Sequence, residues 1–307
     1  MSVTPARHPT SSSACQVSVG MPVYNSAFWV ESALDSLLSQ TFDEFELIIS
    51  DNASTDDTYA ICQRYAQQDR RVRLMRNPTN LVANRNYMAV FQAATGTYFK
   101  WASSNDLCSP TFIERCVTAL ERDSSAVLAC PRSALFTEHI GDAESYDHDL
   151  ALEQDDPADR FIGMHDRMGL NNSFNGVIRR EALARVSPMG SYMCADIVLM
   201  GELALLGKFL LIDERLFFRR MSPEAATRLK SAREVERHLA PSARGPLRWQ
   251  KWRFQFAQLK ACRLVQFPSN AWFKAVSYCL RSFVWARHEL MSEIAGGLRT
   301  TERFEAP

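Results

Sequence analysis

Residues 98–110 read Tyr-Phe-Lys-Trp-Ala-Ser-Ser-Asn-Asp-Leu-Cys-Ser-Pro, an apolar run that stops abruptly at a polar tip carrying Asn105 and Asp106. The run predicts a buried strand over Tyr98 to Ala102, and Pro110 fits the first turn of a helix reaching Glu121. The tip therefore lies on a loop that leaves a strand and enters a helix.

The same alternation extends in both directions from this stretch. Upstream, Gln16 to Met21 alternates and ends at Pro22, so it predicts a strand. Trp29, Val30, Ala33, Leu34, Leu37 and Leu38 then recur at helical spacing, with Asn25 or Ser26 placed to cap that helix. Glu46 to Ser50 predicts a second strand, and Ser54 with Asp57 resembles a capping pair for a helix through Tyr65. Val72 to Met75 is a third strand, Leu81 to Ala94 a third helix, and Ala126 to Cys130 a fifth strand. Strands alternating with helices of this length imply an α/β fold, a doubly wound and mostly parallel sheet with helices on both faces.

In such sheets ligands bind beyond the carboxyl ends of the strands. The loops at that edge carry Pro22, Val23, Tyr24 and Asn25, then Asp51 and Asn52, then Asn77 and Pro78, then Ser103 to Asp106. No Gly-x-Gly-x-x-Gly and no Gly-Lys-Ser/Thr follows any strand, so the usual backbone cradles for phosphate are absent. A phosphate ligand here needs a bound cation or a side chain such as Arg85. Asp106 among oxygen-bearing neighbours suits Mg2+ or Mn2+. The plainer alternatives are a turn cap for Asp51-Asn52, a helix cap for Asp106 and a solvated Arg85.

Four stretches together resemble a family 2 glycosyltransferase of the GT-A type, over roughly residues 16–220. They are Val19 to Asn25, Ile48 to Thr58, Asn84-Arg85-Asn86 and the strand ending in Asn105-Asp106. The resemblance implies a GT-A-like domain over 16–222, with a donor half at 16–131 and an acceptor half at 132–222. It implies an inverting transferase that moves a sugar from a nucleotide diphosphate sugar to a hydroxyl acceptor, in cell-surface polysaccharide assembly. A UDP-sugar is the implied donor, because uridine is the family's commonest base. Pro22, Tyr24, Asn25, Asp51, Asn52, Arg85, Asn105 and Asp106 would bind it, with Tyr24 along the nucleoside and Asp51 accepting from the base.

Asp106 would hold the metal that bridges the phosphates. The family usually presents two or three acids at this tip, whereas this chain has Ser104-Asn105-Asp106, so metal dependence with modest affinity is expected. Farther along, Phe174 to Ile178 predicts a strand and Arg179 to Val186 a short helix, while Arg132 to Gly169 is too polar to assign. Asp196 opens the next helix, which runs to Gly207. It resembles the family's catalytic base, although an acid at a helix N-terminus can also be a cap. Lys208 to Ile212 and Leu216 to Met221 predict two further strands. The His that often follows the Arg219-Arg220 pair in related sequences is replaced by Met221 and Ser222.

Composition bounds the rest. With 307 residues and 46% hydrophobic content the chain can bury a full core. Eight scattered cysteines without a Cys-x-x-Cys pair argue against a disulfide framework or a structural zinc. Residues 1–15 read as a disordered tail, and no segment reads as a membrane span, which places the protein in the cytoplasm or at the inner face of the cell membrane. The net charge of +0 divides into +11 from Arg215 onward and −11 before it. The region 223–307 is basic and rich in Trp and Phe, and Pro268 divides it into two helices. Two uses stay open for them: packing on the catalytic domain or a second subunit, or lying on an anionic membrane. Basic and aromatic residues can also mark a nucleic-acid surface, but the acidic body and the lack of a binding motif argue against it. A nucleotide-sugar-binding protein without turnover and a peripheral membrane scaffold are the rival functions.

Overall fold

β1 (Val17–Val23) is buried at every position because strands flank it on both sides and helices cover both faces. The structure is a computed structural model, and it describes residues 15–221, 249–264 and 269–296. β1 pairs in parallel with β2 (Phe45–Asp51) and β4 (Tyr98–Trp101), and β2 pairs in parallel with β3 (Val72–Arg76). α1 (Val30–Leu38), α2 (Thr58–Gln68) and α4 (Phe112–Arg122) cover one face, where Val17, Val19, Met21 and Val23 point. α3 (Ala83–Gln92) covers the other. It approaches so closely that a Cβ on Gly20 would lie 2.7 Å from both Val90 and Phe99, so glycine is required there.

The sheet then continues with mixed polarity. Beyond β4 the order is β8 (Val177–Arg179), β6 (Ala126–Phe136), β9 (Lys208–Arg220) and β5 (Leu107–Cys108), with β7 (Glu144–Tyr146) on the outer part of β6. β8 runs antiparallel to β4 and to β6, while β6 and β9 are parallel. β5 lies antiparallel on the end of β9. α5 (Pro157–Arg167), α6 (Arg180–Arg185) and α7 (Ala195–Leu206) join α3 on the second face. The expected architecture of a GT-A-like sheet between helices, with a helical C-terminal appendage, is what the chain adopts.

Several local expectations need correction. Neither Asn25 nor Ser26 caps α1 through its side chain, because Asn25 Oδ1 accepts from Thr55 N at 2.9 Å and Ser26 Oγ donates to the Tyr24 carbonyl at 3.2 Å. At α2 the helix is started by Asp56, which accepts from Thr58 N at 3.0 Å, while Ser54 N turns back toward Asp51. β6 runs on through Pro131 to Phe136, with a bulge at Pro131–Arg132 that tolerates the missing N–H. Opposite that bulge Asp213 and Glu214 are looped out, so the two strands expected over 208–221 are one strand, β9. Phe174 belongs to a 3₁₀ turn, Asn172–Asn175, and the strand starts at Val177. α5 falls inside the stretch that the sequence left unassigned.

The C-terminal region forms three helices among the described residues: α8 (Gln250–Ala261), α9 (Ser269–Trp285) and α10 (Arg287–Gly296). Ala261, Cys262, Ala271, Ala275, Tyr278 and Cys279 pack on Ala158, Phe161 and Leu205, so this region rests on α5 and α7. Lys274 pairs with Asp156 at 3.5 Å and Tyr278 Oη donates to Asp166 at 2.7 Å. The break expected at Pro268 and the tail expected over 1–15 lie outside the described residues, apart from Cys15.

Candidate active site

The parallel strands end in register, with Val23 opposite Asp51 and Asp51 opposite Arg76, so their loops emerge at one edge. Asp51 is fully buried, and its Oδ2 pairs with Arg76 Nε at 3.1 Å and accepts from Ser54 N at 3.2 Å. Arg76 in turn stacks on Tyr59, 4.3 Å from the ring centre, and Oδ1 of Asp51 takes only the weaker Ser54 contact at 3.4 Å. Tyr24 and Asn25 stand exposed beside this loop, and Asn25 holds a left-handed backbone with φ 47°. Pro22 is buried in the strand that supports them.

Asn52, expected among the donor contacts, is engaged within the loops themselves. Its amide donates to Asn80 Oδ1 and the Leu81 carbonyl and accepts from Asn77 Nδ2 and Leu81 N, all within 2.8–3.0 Å. All four hydrogen-bonding positions are thus committed to tying the β2 loop to the loop that opens α3. Asn77 continues the chain to Asn86, whose side chain bonds both Ser50 Oγ at 2.6 Å and the Ser50 carbonyl at 2.9 Å. Arg85, on the outer side of α3 beside this network, is exposed and forms no ion pair with any described residue.

The tip of residues 103–106 is clasped by the end of β9. Asp106 Oδ1 accepts from Arg220 N at 2.9 Å, extending the β5–β9 ladder by one step, and Arg220 Nε donates to the Asn105 carbonyl at 3.1 Å. Ser104 Oγ donates to Ser26 Oγ at 2.8 Å, which ties the tip to the β1 loop, and Ser103 Oγ bonds Asn105 Oδ1. Asp106 therefore does not cap α4. The Arg220 guanidinium is buried between Trp29 and Phe136, 4.2 and 4.3 Å from their rings, and donates to the carbonyls of Thr137 and Glu138. Burial pushes the Asp106 carboxyl above its ordinary range, against the Arg220 N–H and the cations of Arg219, Lys100 and Arg220.

Asp196 sits in the first turn of α7, but it does not cap it. The helix starts at Cys194 in a left-handed backbone (φ 59°) with no side-chain cap, and Asp196 Oδ2 accepts instead from Asn171 Nδ2 at 2.9 Å. The neighbouring Asn172 accepts from Arg219 Nη1 at 2.8 Å. One frame therefore links the two acids: Asp106 to the backbone of Arg220, Arg219 to Asn172, and Asn171 to Asp196. Both acids act on the Tyr87 hydroxyl: burial together with the charges of Asp106 and Asp196 pushes it up to about 12, with Arg219 opposing. Neither Asn171 nor Tyr87 stands out in the sequence. Nothing local ties Asn171 and Asn172 to residues 25 and 47 positions away.

No group of three or more His, Cys, Asp or Glu side chains among the described residues could hold a metal ion. At the tip Asp106 Oδ2 takes no hydrogen bond from the described residues, and Asn105 Oδ1 faces only the Ser103 hydroxyl. Oxygen donors this few fit a hard cation whose shell is completed by phosphates and water. They do not fit a preloaded cage.

The mixed sheet, the acid-bearing loops at the ends of its parallel strands and the second acid on α7 define a domain of the GT-A type. The family profile described as Glycosyl transferase family 2 matches residues 18–184, more than half of the chain, and the chain belongs to that family. A putative glycosyltransferase EpsE of Bacillus subtilis (strain 168) is 37% identical over 110 residues, which is 35% of this chain and 39% of that protein. A chondroitin synthase of Pasteurella multocida (strain Pm70) is 32% identical over 114 residues, 37% of this chain and 12% of the synthase. The match thus spans well under half of these relatives' own length. Among solved structures, S. aureus TarS 1-349 in complex with UDP-GlcNAc overlays with a TM-score of 0.62 at 16% identity, over 90% of this chain and 75% of that one. The mannosyltransferase PcManGT from Pyrobaculum calidifontis, in complex with GDP-Man and Mn2+, overlays with a TM-score of 0.57 at 15% identity, over 92% and 75%. These likenesses establish the fold.

Proposed function

We propose that this protein transfers a sugar from a nucleotide diphosphate sugar to a hydroxyl acceptor with inversion at the anomeric carbon. The observation that carries the reading is the pair of acids, Asp106 and Asp196, joined in one frame through Arg220-Arg219 and Asn172-Asn171 by hydrogen bonds that serve no capping role. Asp196 takes the proton of the acceptor hydroxyl as its oxygen bonds to the anomeric carbon. The bond from that carbon to the diphosphate breaks on the opposite face, and its electron pair leaves with the nucleotide diphosphate. Asn171 holds the Asp196 carboxylate in place during this exchange, and Arg219 faces the developing negative charge.

Asp106 Oδ2 with Asn105 would hold Mg2+ or Mn2+ together with the donor's phosphates, and the ion, when bound, neutralises charge on the leaving diphosphate. Tyr24, Asn25, Asp51 and Arg85 form the nucleoside side of the site. Pro22 and Asn52 shape its loops from behind. A UDP-sugar is the donor to try first, with a GDP-sugar second, since solved relatives of this fold hold one or the other. Donor hydrolysis and acceptor transfer, assayed with Mn2+, test the reading. Asp196→Asn should lower turnover by roughly a hundredfold or more while leaving donor affinity in place, and Asp106→Ala should weaken both. Tight donor binding with no turnover in the parent chain would favour a binding protein instead.

A further inference from the structure

α8 buries Gln250, Gln255, Gln258 and Ala261 and packs Phe254 and Leu259 on the core, yet Phe256, and Trp249 just before the helix, are 56% and 46% exposed. α9 buries Ala271, Ala275, Tyr278 and Cys279 against α5 and α7, yet its opposite side carries Phe273, Leu280 and Val284 at 63%, 54% and 58% exposure. Spacings of seven and four residues put these three on one stripe. The two helices share this surface, because Phe283 lies 5.5 Å from Phe256 and 6.2 Å from Trp252. A helix that is apolar on both its buried and its outer side is expected where water is excluded from both.

Charge identifies the occupant. Neither α8 nor α9 contains an Asp or Glu, and Arg253, Lys260 and Arg281 stand exposed among the aromatic residues without an ion pair to any described residue. A second copy meeting this face through a two-fold axis would bring together two helix pairs that carry Arg and Lys and no acid to pair them. No helix among the described residues is long and apolar enough to cross a membrane. Exposed Trp and Phe interleaved with Arg and Lys match the interfacial zone of a bilayer, where rings enter the headgroup boundary and cations meet lipid phosphate. We infer that the outer face of α8 and α9 docks on an anionic lipid surface, with Phe273, Leu280 and Val284 entering the boundary and Arg253, Lys260 and Arg281 binding headgroup phosphates. This goes beyond the transfer reaction and does not depend on it.

Flotation of the full chain with phosphatidylglycerol-containing and pure phosphatidylcholine vesicles tests it, with donor hydrolysis and thermal unfolding as independent controls. Binding should be at least about tenfold stronger to the anionic vesicles at low salt and should fall steeply at high salt. The pairs Arg253→Glu with Lys260→Glu, and Phe273→Ser with Val284→Ser, should each weaken it by about tenfold or more, with unfolding temperature and hydrolysis unchanged. Both pairs are exposed, so neither threatens the core. Equal binding to neutral vesicles, no binding to either, or a dimer in light scattering that the Phe273→Ser/Val284→Ser pair dissolves would overturn the proposal.

Discussion

Replacing Arg220 should loosen the fold and the tip together. The side chain is 5% exposed, lies between two rings at 4.2 and 4.3 Å, and donates to three carbonyls, those of Asn105, Thr137 and Glu138. Arg220→Ala strands those carbonyls at about 1 kcal/mol each and removes two ring contacts at about 1 kcal/mol each, for a loss of about 5 kcal/mol. Arg220→Lys keeps the charge but cannot fork to three acceptors while stacking flat, so it should lose about half as much. At about 2 °C per kcal/mol for a chain of this size, unfolding should fall by about 10 °C and about 5 °C. The Asn105 carbonyl loses its anchor in both variants, so donor hydrolysis should fall by about tenfold or more even at temperatures where the protein is folded. Thermal unfolding followed by calorimetry, with hydrolysis assayed well below the lower midpoint, gives both readouts. An Arg220→Lys variant that matches the parent in midpoint and in hydrolysis would refute the idea that this guanidinium sets the tip.

Asn171→Ala removes the hydrogen bond to Asp196, and a bond to a charged group is worth about 1.5–3 kcal/mol, so kcat should fall by about ten- to a hundredfold with KM for the donor near its parent value. His165 is buried with Nε2 unpartnered, and burial lowers its pKa from 6.5 to about 4. Because the folded pKa is depressed, the unfolded chain binds the proton first; stability should drop by about 2 kcal/mol between pH 7 and pH 5 and level off below about 4, and urea unfolding of His165→Gln should show a flatter profile. Calorimetric titration with Mn2+ alone should give no measurable binding, whereas Mn2+ with a nucleoside diphosphate should bind, and Asp106→Ala should abolish that second signal. Gly20→Ala forces a methyl to within 2.7 Å of Val90 and Phe99 and should cost about 1–3 kcal/mol in denaturant unfolding.

The parallel half of the sheet is legible in the sequence because each of its elements carries a period. β1, β2 and β4 are apolar runs with both faces covered, and α1 and α4 repeat their apolar residues at helical spacing. The caps are not legible, because Asn25, Asp56 and Ser54 have several backbone partners within reach and only the folded loops choose among them. β9 reads as two strands because Asp213 and Glu214 interrupt its pattern, and whether a polar pair marks a turn or a bulge depends on the partner strand. α5 hides in a polar stretch for a related reason. Much of its buried face is Arg160 and His165, and Arg160 Nε and Nη1 donate to the carbonyls of Ala204, Gln154 and Asp155. At the site, Asp51, Asp106 and Asp196 stand out as acids at element ends. The amides that orient them, Asn171 above all, depend on contacts across the fold.

The single carboxylate at the tip has a physical consequence that a fuller acid set would remove. Lys100 is fully buried beneath it, donating to the carbonyls of Asn175 at 2.6 Å and Trp101 at 3.1 Å and lying 4.3 Å from the Phe112 ring. Arg219 and Arg220 act on the same carboxylate, so three cationic side chains oppose one acid at this end of the sheet. Burying cations without matching acids is costly unless something anionic completes the balance. Three cations and one carboxylate leave two positive charges, which offset about the charge that a nucleotide diphosphate brings. With Ser104 and Asn105 standing beside Asp106 in place of acids, that positive field is left uncancelled for an anionic ligand. A tip with two further carboxylates would have to recruit a tightly held cation before any diphosphate could approach it. Under the proposed reaction, an ion at Asp106 would therefore enter with the nucleotide rather than ahead of it.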